Sequence, residues 1–350
     1  MRLIALTLVL GGLYTYSAVG FAQQPGILHA QLTTRSAATG LAPELRQIEE
    51  RSGPAWVGYS IPVEGSFQSG WNADQVVYLE GDHPWKGNRN GSRGTQSVPQ
   101  DHAILLLRIA SGKIGELRAE SPERQIDAGG LPFVWLTDVN PAQSIGVLRE
   151  LATASDAARL RDSAVFLIAL HQASEATPAL VSLAAPGKDL ELREKAAFWL
   201  ANQRGREGFL AIQRFARDDA DARFREKLTF DLTLSKDPAA LDELIRMAHT
   251  DASPQVRKQA QFWMATRGGA KVAGDLRGAT ANDPDAQVRK SAVFALSRLP
   301  GDEAATQLIA VAGSSRDSEV CKQAIFWLGQ SDDPRALDYL TKLLQSGSPR

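Results

Sequence analysis

Phe166, Phe198, Phe230, Phe262, Phe294 and Phe326 stand at a constant interval of 32 residues, in a chain that holds only 12 Phe. Chance does not produce such spacing. A fixed period of about 20–50 residues marks one supersecondary unit copied and stacked, each copy too small to bury its own apolar face.

Companion columns define the unit. Six residues before each Phe come Leu160, Leu192, Phe224, Val256, Val288 and Val320; two before, Ala164, Ala196, Leu228, Ala260, Ala292 and Ala324. Two after come Ile168, Leu200, Leu232, Met264, Leu296 and Leu328. At about 100° per residue these offsets cover a wider arc than a one-sided amphipathic helix needs. The pattern predicts a helix B buried against its own partner and both neighbouring units, with Val, Ala, Phe and Leu assigned to the core. A second column, Leu148, Leu180, Ile212, Leu244, Leu276, Leu308 and Leu340, marks a helix A in each unit. Asn140-Pro141, Asp237-Pro238 and Asp333-Pro334 punctuate starts with a cap residue and a proline at the first helical position. Leu340 has no B helix after it, so the array closes on a lone A helix.

Polar residues recur in register. Arg161, Arg193, Arg225, Arg257 and Arg289, then Cys321, precede the Phe column by five; Ala157, Asp189, Asp221, Ser253, Asp285 and Asp317 precede those by four. The Asp or Ser suits the N-cap of helix B, accepting free N–H groups of its first turn. The Arg lies one turn on, where its fork reaches the cap carboxylate of its own or the neighbouring unit. Matched acids favour this structural ladder over a basic strip for anionic ligands.

These signatures, as in Asp285-Ala-Gln-Val-Arg289-Lys-Ser-Ala292-Val-Phe294, resemble HEAT repeats, in the short subtype named after phycobilisome bilin lyases. The resemblance spans residues 140–345 and implies a mainly α fold: a right-handed α-solenoid of about six helix pairs, working as a binding scaffold. Deoxyhypusine hydroxylases resemble the array and bind iron through His-Glu dipeptides; no His-Glu pair occurs here, so that activity does not carry over. No chromophore-handling cysteine supports a lyase.

Tryptophan has a doubled period: Trp135, Trp199, Trp263 and Trp327 are spaced by 64. Each follows a Phe-column position, Val134 holding it in a degenerate first B element at residues 132–136. Alternate large and small packing explains the row. A displayed line of rigid indoles, binding a peptide or glycan, is the competing reading.

Ahead of the array, residues 43–130 read as a small α+β unit sealing one end of the solenoid, and 23–42 as a loose lead-in. Residues 43–51 suit a short helix. Trp56–Val63 reads as a strand on a sheet edge because of Pro62, Gln75–Glu80 as another, and Ala103–Ile109 with Ile114–Glu120 as a hairpin. The loop from Gly81 to Gln100 holds the best local candidate site. Trp85 and Arg89 are its ligand-gripping pair; Glu80, His83 and His102 could hold a metal. The solenoid is placed at 131–345 and a tail at 346–350.

Residues 1–22 read as an export signal. Arg2 is followed by an apolar run from Leu3 to Leu13 and by Gly20-Phe21-Ala22, which places cleavage before Gln23; an uncleaved anchor is the rival. The expected location is the periplasm or cell envelope, with no membrane association once the signal is removed. Lys plus Arg number 39 against 40 Asp plus Glu, so no nucleic-acid partner is expected. The single Cys321 excludes an intramolecular disulfide and a cysteine zinc cluster. No catalytic motif, cofactor site or metal site emerges.

The expected protein is a monomeric, exported, non-catalytic scaffold holding a protein partner on the solenoid's concave face. An enzyme or enzyme subunit, metal-dependent or lyase-like, and a glycan or cell-wall binder using the Trp row are the alternatives.

Overall fold

A computed structural model describes residues 24–51, 53–70, 76–81, 98–155 and 157–346. The export segment, Trp85, Arg89 and His83 lie outside the described residues.

Two short strands, β1 (Ile27–Leu28) and β2 (Gln31–Ser36), lead into helix α1 (Leu41–Glu49), followed by β3 (Ala55–Phe67) and β4 (Val77–Tyr78). The hairpin of β5 (Gln100–Ala110) and β6 (Lys113–Glu120) comes next, then β7 (Ile126–Asp127) and β8 (Pro132–Thr137). The main sheet runs β2-β8-β3-β5-β6, parallel across β2, β8 and β3 and antiparallel beyond; β1-β7-β4 form a small second sheet.

Three expectations change here. The lead-in is an edge strand: β2 pairs with β8 from Gln31↔Pro132 to Ser36↔Thr137. β3 is interior despite Pro62, because β8 pairs it only at Trp56, Val57 and Gly58. Beyond that point Pro62 owes no N–H to a neighbour on that side. Residues 132–137 form a strand of the sheet, so the helical array starts at Pro141. Their alternation decides where Trp135 goes: Val134 and Leu136 face the solenoid core, while Phe133 and Trp135 face a separate cluster with Trp56, Ile104 and Leu106. There Gly58 is obligatory, since a Cβ on it would stand 2.8 Å from the Phe133 ring.

The array is six helix pairs and a final single helix: α2 (Pro141–Ala154) with α3 (Ala158–Leu170), α4 (Ala176–Ala184) with α5 (Leu190–Gln203), and α6 (Gly205–Asp218) with α7 (Ala222–Leu234). Then come α8 (Ala240–Thr250) with α9 (Pro254–Gly268), α10 (Ala273–Asn282) with α11 (Ala286–Ser297), α12 (Glu303–Ser314) with α13 (Ser318–Gly329), and α14 (Pro334–Gln345). One apolar core runs from the sheet through these pairs to Ala336. The three companion columns of helix B are all buried.

A buried polar hub joins sheet to array. The His171 Nδ1–H donates to Leu167 O at 2.7 Å, which leaves Nε2 to accept from Ser144 Oγ at 2.9 Å; Ser144 in turn accepts from the Tyr59 hydroxyl at 2.8 Å. Next to it Gln172 N–H donates to Pro62 O at 3.0 Å, tying the end of β3 to the end of α3. Burial pushes His171 down to about 4, against the Leu167 bond, which favours the charged ring. The unfolded chain therefore binds a proton below about pH 6.5 that the folded hub refuses. The hub's own contribution to stability should fall as pH drops from about 6.5 to 4, by about 1.4 kcal/mol per unit and up to about 3 kcal/mol. His171→Gln should remove that contribution and so change the pH slope of a urea-denaturation series over this range; an unchanged slope would refute this account of the hub.

Candidate functional site

The Phe column corrects the largest expectation. It is not core. Phe230 and Phe326 are 38% and 52% exposed, and the other four are half-buried. The buried columns lie on the opposite side of each B helix, so position zero of the wheel faces outward. Six outward Phe at one register make a ridge across α3, α5, α7, α9, α11 and α13.

The tryptophans complete this ridge. Trp199, Trp263 and Trp327 are half-buried, each wedged against the Phe of the preceding repeat: Phe166–Trp199 at 4.8 Å, Phe230–Trp263 at 5.0 Å, Phe294–Trp327 at 5.1 Å between centroids. Each also meets its own Phe edge-on, at 5.0, 4.8 and 5.1 Å. Phe262 and Phe294 stack nearly parallel at 6.1 Å. From Phe230 to Phe326 the rings therefore form one unbroken line of tilted, edge-on and stacked contacts. The indole N–H groups of Trp263 and Trp327 are buried without a protein acceptor. Trp135, 3% exposed in its own cluster, is no part of the line; its place in the 64-residue spacing is coincidental.

The Arg column beneath is structural, but its partners differ from those expected. Arg193, Arg225 and Arg257 reach Asp219, Asp251 and Asp283, two residues ahead of the next helix cap. Only Arg161 and Arg289 reach a neighbouring cap, Asp189 at 3.7 Å and Asp317 at 2.8 Å. The reason is local: the inner Asp becomes Gly187 and Ser315 in those two units. Asp189, Asp221, Asp285 and Asp317 do cap their helices; Ser253 and Ala157 do not. Burial tends to push Asp251 up, yet the Arg225 bonds outweigh it and hold the carboxyl below its ordinary range.

Arg204 and Arg267 show a device the columns did not reveal. Arg204 donates to the carbonyls of Ala169 and His171, and Arg267 to those of Leu232, Thr233 and Ser235. Each closes the free carbonyls at the end of an earlier B helix.

In the N-terminal unit, Glu80 is engaged in structure. It accepts from Trp56 Nε1 at 2.8 Å and Arg108 Nε at 2.6 Å, and these bonds hold its carboxyl low, the Arg108 bond foremost. His102 contacts Asp101 at 2.9 Å. Among the described residues no group of three His, Cys, Asp or Glu side chains is placed to hold a metal, and no helix is long and apolar enough to cross a membrane.

Paired helices stacked over one core define an α-solenoid. The class has a name in its sequence: the profile of the family described as HEAT repeats matches residues 210–297 and 275–350, so this part of the chain carries HEAT repeats. No curated protein matches the sequence. Among solved structures, human deoxyhypusine hydroxylase in complex with glycerol is similar at 17% identity, with 60% of this chain and 81% of that one covered and a TM-score of 0.32. The complex of CpcE and CpcF of phycocyanin lyase from Nostoc sp. PCC7120 is similar at 22% identity over 45% of this chain and 100% of that one, TM-score 0.33. Kap121p bound to Pho4p is similar at 14% identity over 58% of this chain and 27% of that one, TM-score 0.38.

Proposed function

We propose that the protein is an exported, non-catalytic scaffold that holds a protein partner along the ridge of its B helices. The observation that carries this reading is the outward Phe column. A hydrophobic residue repeated at one register is normally explained by the core, yet here the core is supplied by other columns and the Phe rings line the surface. Contiguous exposed apolar surface of this kind marks an interaction site, and stacked aromatic rings are rigid anchors of the sort that dominate binding energies. The matched HEAT repeats support the reading, since stacked repeats make extended binding surfaces.

The test is affinity capture from envelope extracts with the full chain and with a Phe262→Ser, Phe294→Ser, Phe326→Ser variant. Phe326 is exposed and Phe262 and Phe294 are half-buried, with the core supplied by other columns, so the variant should keep its helical content at a lowered urea midpoint. Partners recovered by the parent chain should be lost, with affinity down by at least about tenfold. Equal recovery by both would overturn the reading.

A further inference from the structure

The arginine ladder keeps its inner acid at three junctions between repeats and lacks it at two, and the charges nearby change with it. Where Asp219, Asp251 and Asp283 stand, the next residue is Ala220, Ala252 or Pro284. The matching position of the preceding A helix is then Val181, Gln213 or Ile245. Where Gly187 or Ser315 replaces the acid, the same two positions hold Lys188 with Arg149, and Arg316 with Arg277. A ladder arginine deprived of its carboxylate makes further cations unfavourable, since like charges repel. Both junctions nonetheless gain two.

At the second of them the consequence is visible. A cavity of about 610 Å³ opens between the end of α10 and the start of α13, and Arg277, Arg289 and Arg316 line it beside Ser315 and Asp317. At the preceding junction Arg257 is buried, its fork closed on Asp283. Without that acid Arg289 turns to Asp317, at 2.9 Å through Nε and 2.8 Å through Nη2. Asp317 also caps α13, accepting from the Glu319 and Val320 N–H groups. One carboxylate thus fills two roles that Asp283 and Asp285 divide between them. The Arg277 side chain has a 3.3 Å contact with Gln307 and no acid. Among the described residues Arg316 has neither a hydrogen bond nor an ion pair.

Three guanidinium groups against one carboxylate leave two positive charges uncompensated around this cavity. The junction at Gly187 is less positive, because Arg161 reaches both Asp189 at 3.7 Å and Glu191 at 3.4 Å. Guanidinium forks match the paired oxygens of carboxylates and phosphates, and the cavity has the volume of a small-ligand site. We propose that the cleft between α10 and α13 binds a small free oxyanion with two negative charges, a phosphate or a dicarboxylate, held by Arg277, Arg289 and Arg316 where the inner acid is missing. No ring of the Phe column lines the cleft, so this site is separate from the ridge and is judged without it.

The test is calorimetric titration of the full chain with inorganic phosphate, with succinate and with acetate. Phosphate or succinate should bind saturably at one site per chain, at least about tenfold more tightly than the singly charged acetate. Whichever binds names the group the cleft prefers. Arg277→Ser and Arg316→Ser should each weaken binding by about tenfold, while Arg223→Ser, on α7, should leave it unchanged. Ser315→Asp supplies the acid found at the three other junctions. It should abolish binding with a urea midpoint at or above that of the parent chain, which separates a filled cleft from an unfolded one. Failure of both dianions to bind, equal binding of acetate, indifference to both arginine variants, or full binding by Ser315→Asp would overturn the proposal. So would binding of a Glu-rich peptide when neither free dianion binds, since the cleft would then serve an acidic protein segment.

Discussion

Arg257→Met should cost about 3–5 kcal/mol of unfolding free energy, the usual loss when one member of a buried ion pair is removed. Arg257 donates through Nε and Nη2 to Asp283 at 2.8 and 2.9 Å, and through Nη1 to the Asp251 carbonyl at 2.8 Å. Both side chains are almost fully enclosed. The Asp283 bonds, first among the causes, hold the guanidinium above its ordinary value. Methionine keeps most of the stem's packing but strands a buried carboxylate between α9 and the end of α10. Adding Asp283→Asn to Arg257→Met should recover much of the loss, because a neutral amide is far cheaper to leave there. Arg223→Ser provides the contrast. Its pair with Asp221, at 3.1 Å, is exposed on the Arg side, and its removal should leave the urea midpoint almost unchanged. Urea midpoints of the three proteins decide the matter. A loss at Arg257 no larger than at Arg223 would show that the ladder does not hold the repeats together.

Asp231→Leu should act in the opposite direction. Asp231 follows the Phe column in α7, where the repeat two units earlier has Leu167 and the repeat two units later has Ala295. It is 4% exposed, and its Oδ2 has no hydrogen-bond partner. Burial, then the Glu194 charge, pushes it up to about 8, with Lys227 opposing. The folded state thus holds a proton that the unfolded chain releases near pH 4. Stability is fully present below that pH and is lost as pH rises toward 8, at about 1.4 kcal/mol per unit. By pH 7 the penalty is on the order of 4 kcal/mol. Leucine removes it and fills the same space. The gain over the parent should be largest at pH 7–8 and shrink toward pH 4. A pH-independent difference would mean that Asp231 is not protonated in the fold. His171 and Asp231 slope in opposite directions between about pH 4 and 6.5, so the parent chain should show a flat profile there. Each single variant should expose the other group's slope.

The helix pairs were legible because the 32-residue period repeats one environment many times. At Phe262, Phe294 and Phe326 the period located the right residues but assigned them the wrong face. Offsets of −6, −2 and +2 leave position zero opposite their mean direction, yet a residue there reads as core from sequence because it is apolar. The Asp219, Asp251 and Asp283 column was equally present in the sequence. It was masked by the more familiar cap position two residues later. The sheet was half legible: the β5–β6 hairpin is local, whereas the parallel pairing of β2 with β8 joins segments about a hundred residues apart in sequence, and alternation within one strand does not reveal its neighbour.

By itself the sequence determined the repeat, the aspartate caps of its B helices and the columns that fill the core, because each of these follows from short-range periodicity and local hydrogen bonding. Only the tertiary structure decided which apolar column faces water, which acid each arginine reaches, and that Trp135 belongs to the sheet while Trp199, Trp263 and Trp327 belong to the ridge. Those choices depend on how neighbouring helices and strands are rotated against one another, and rotation is set by packing across the core.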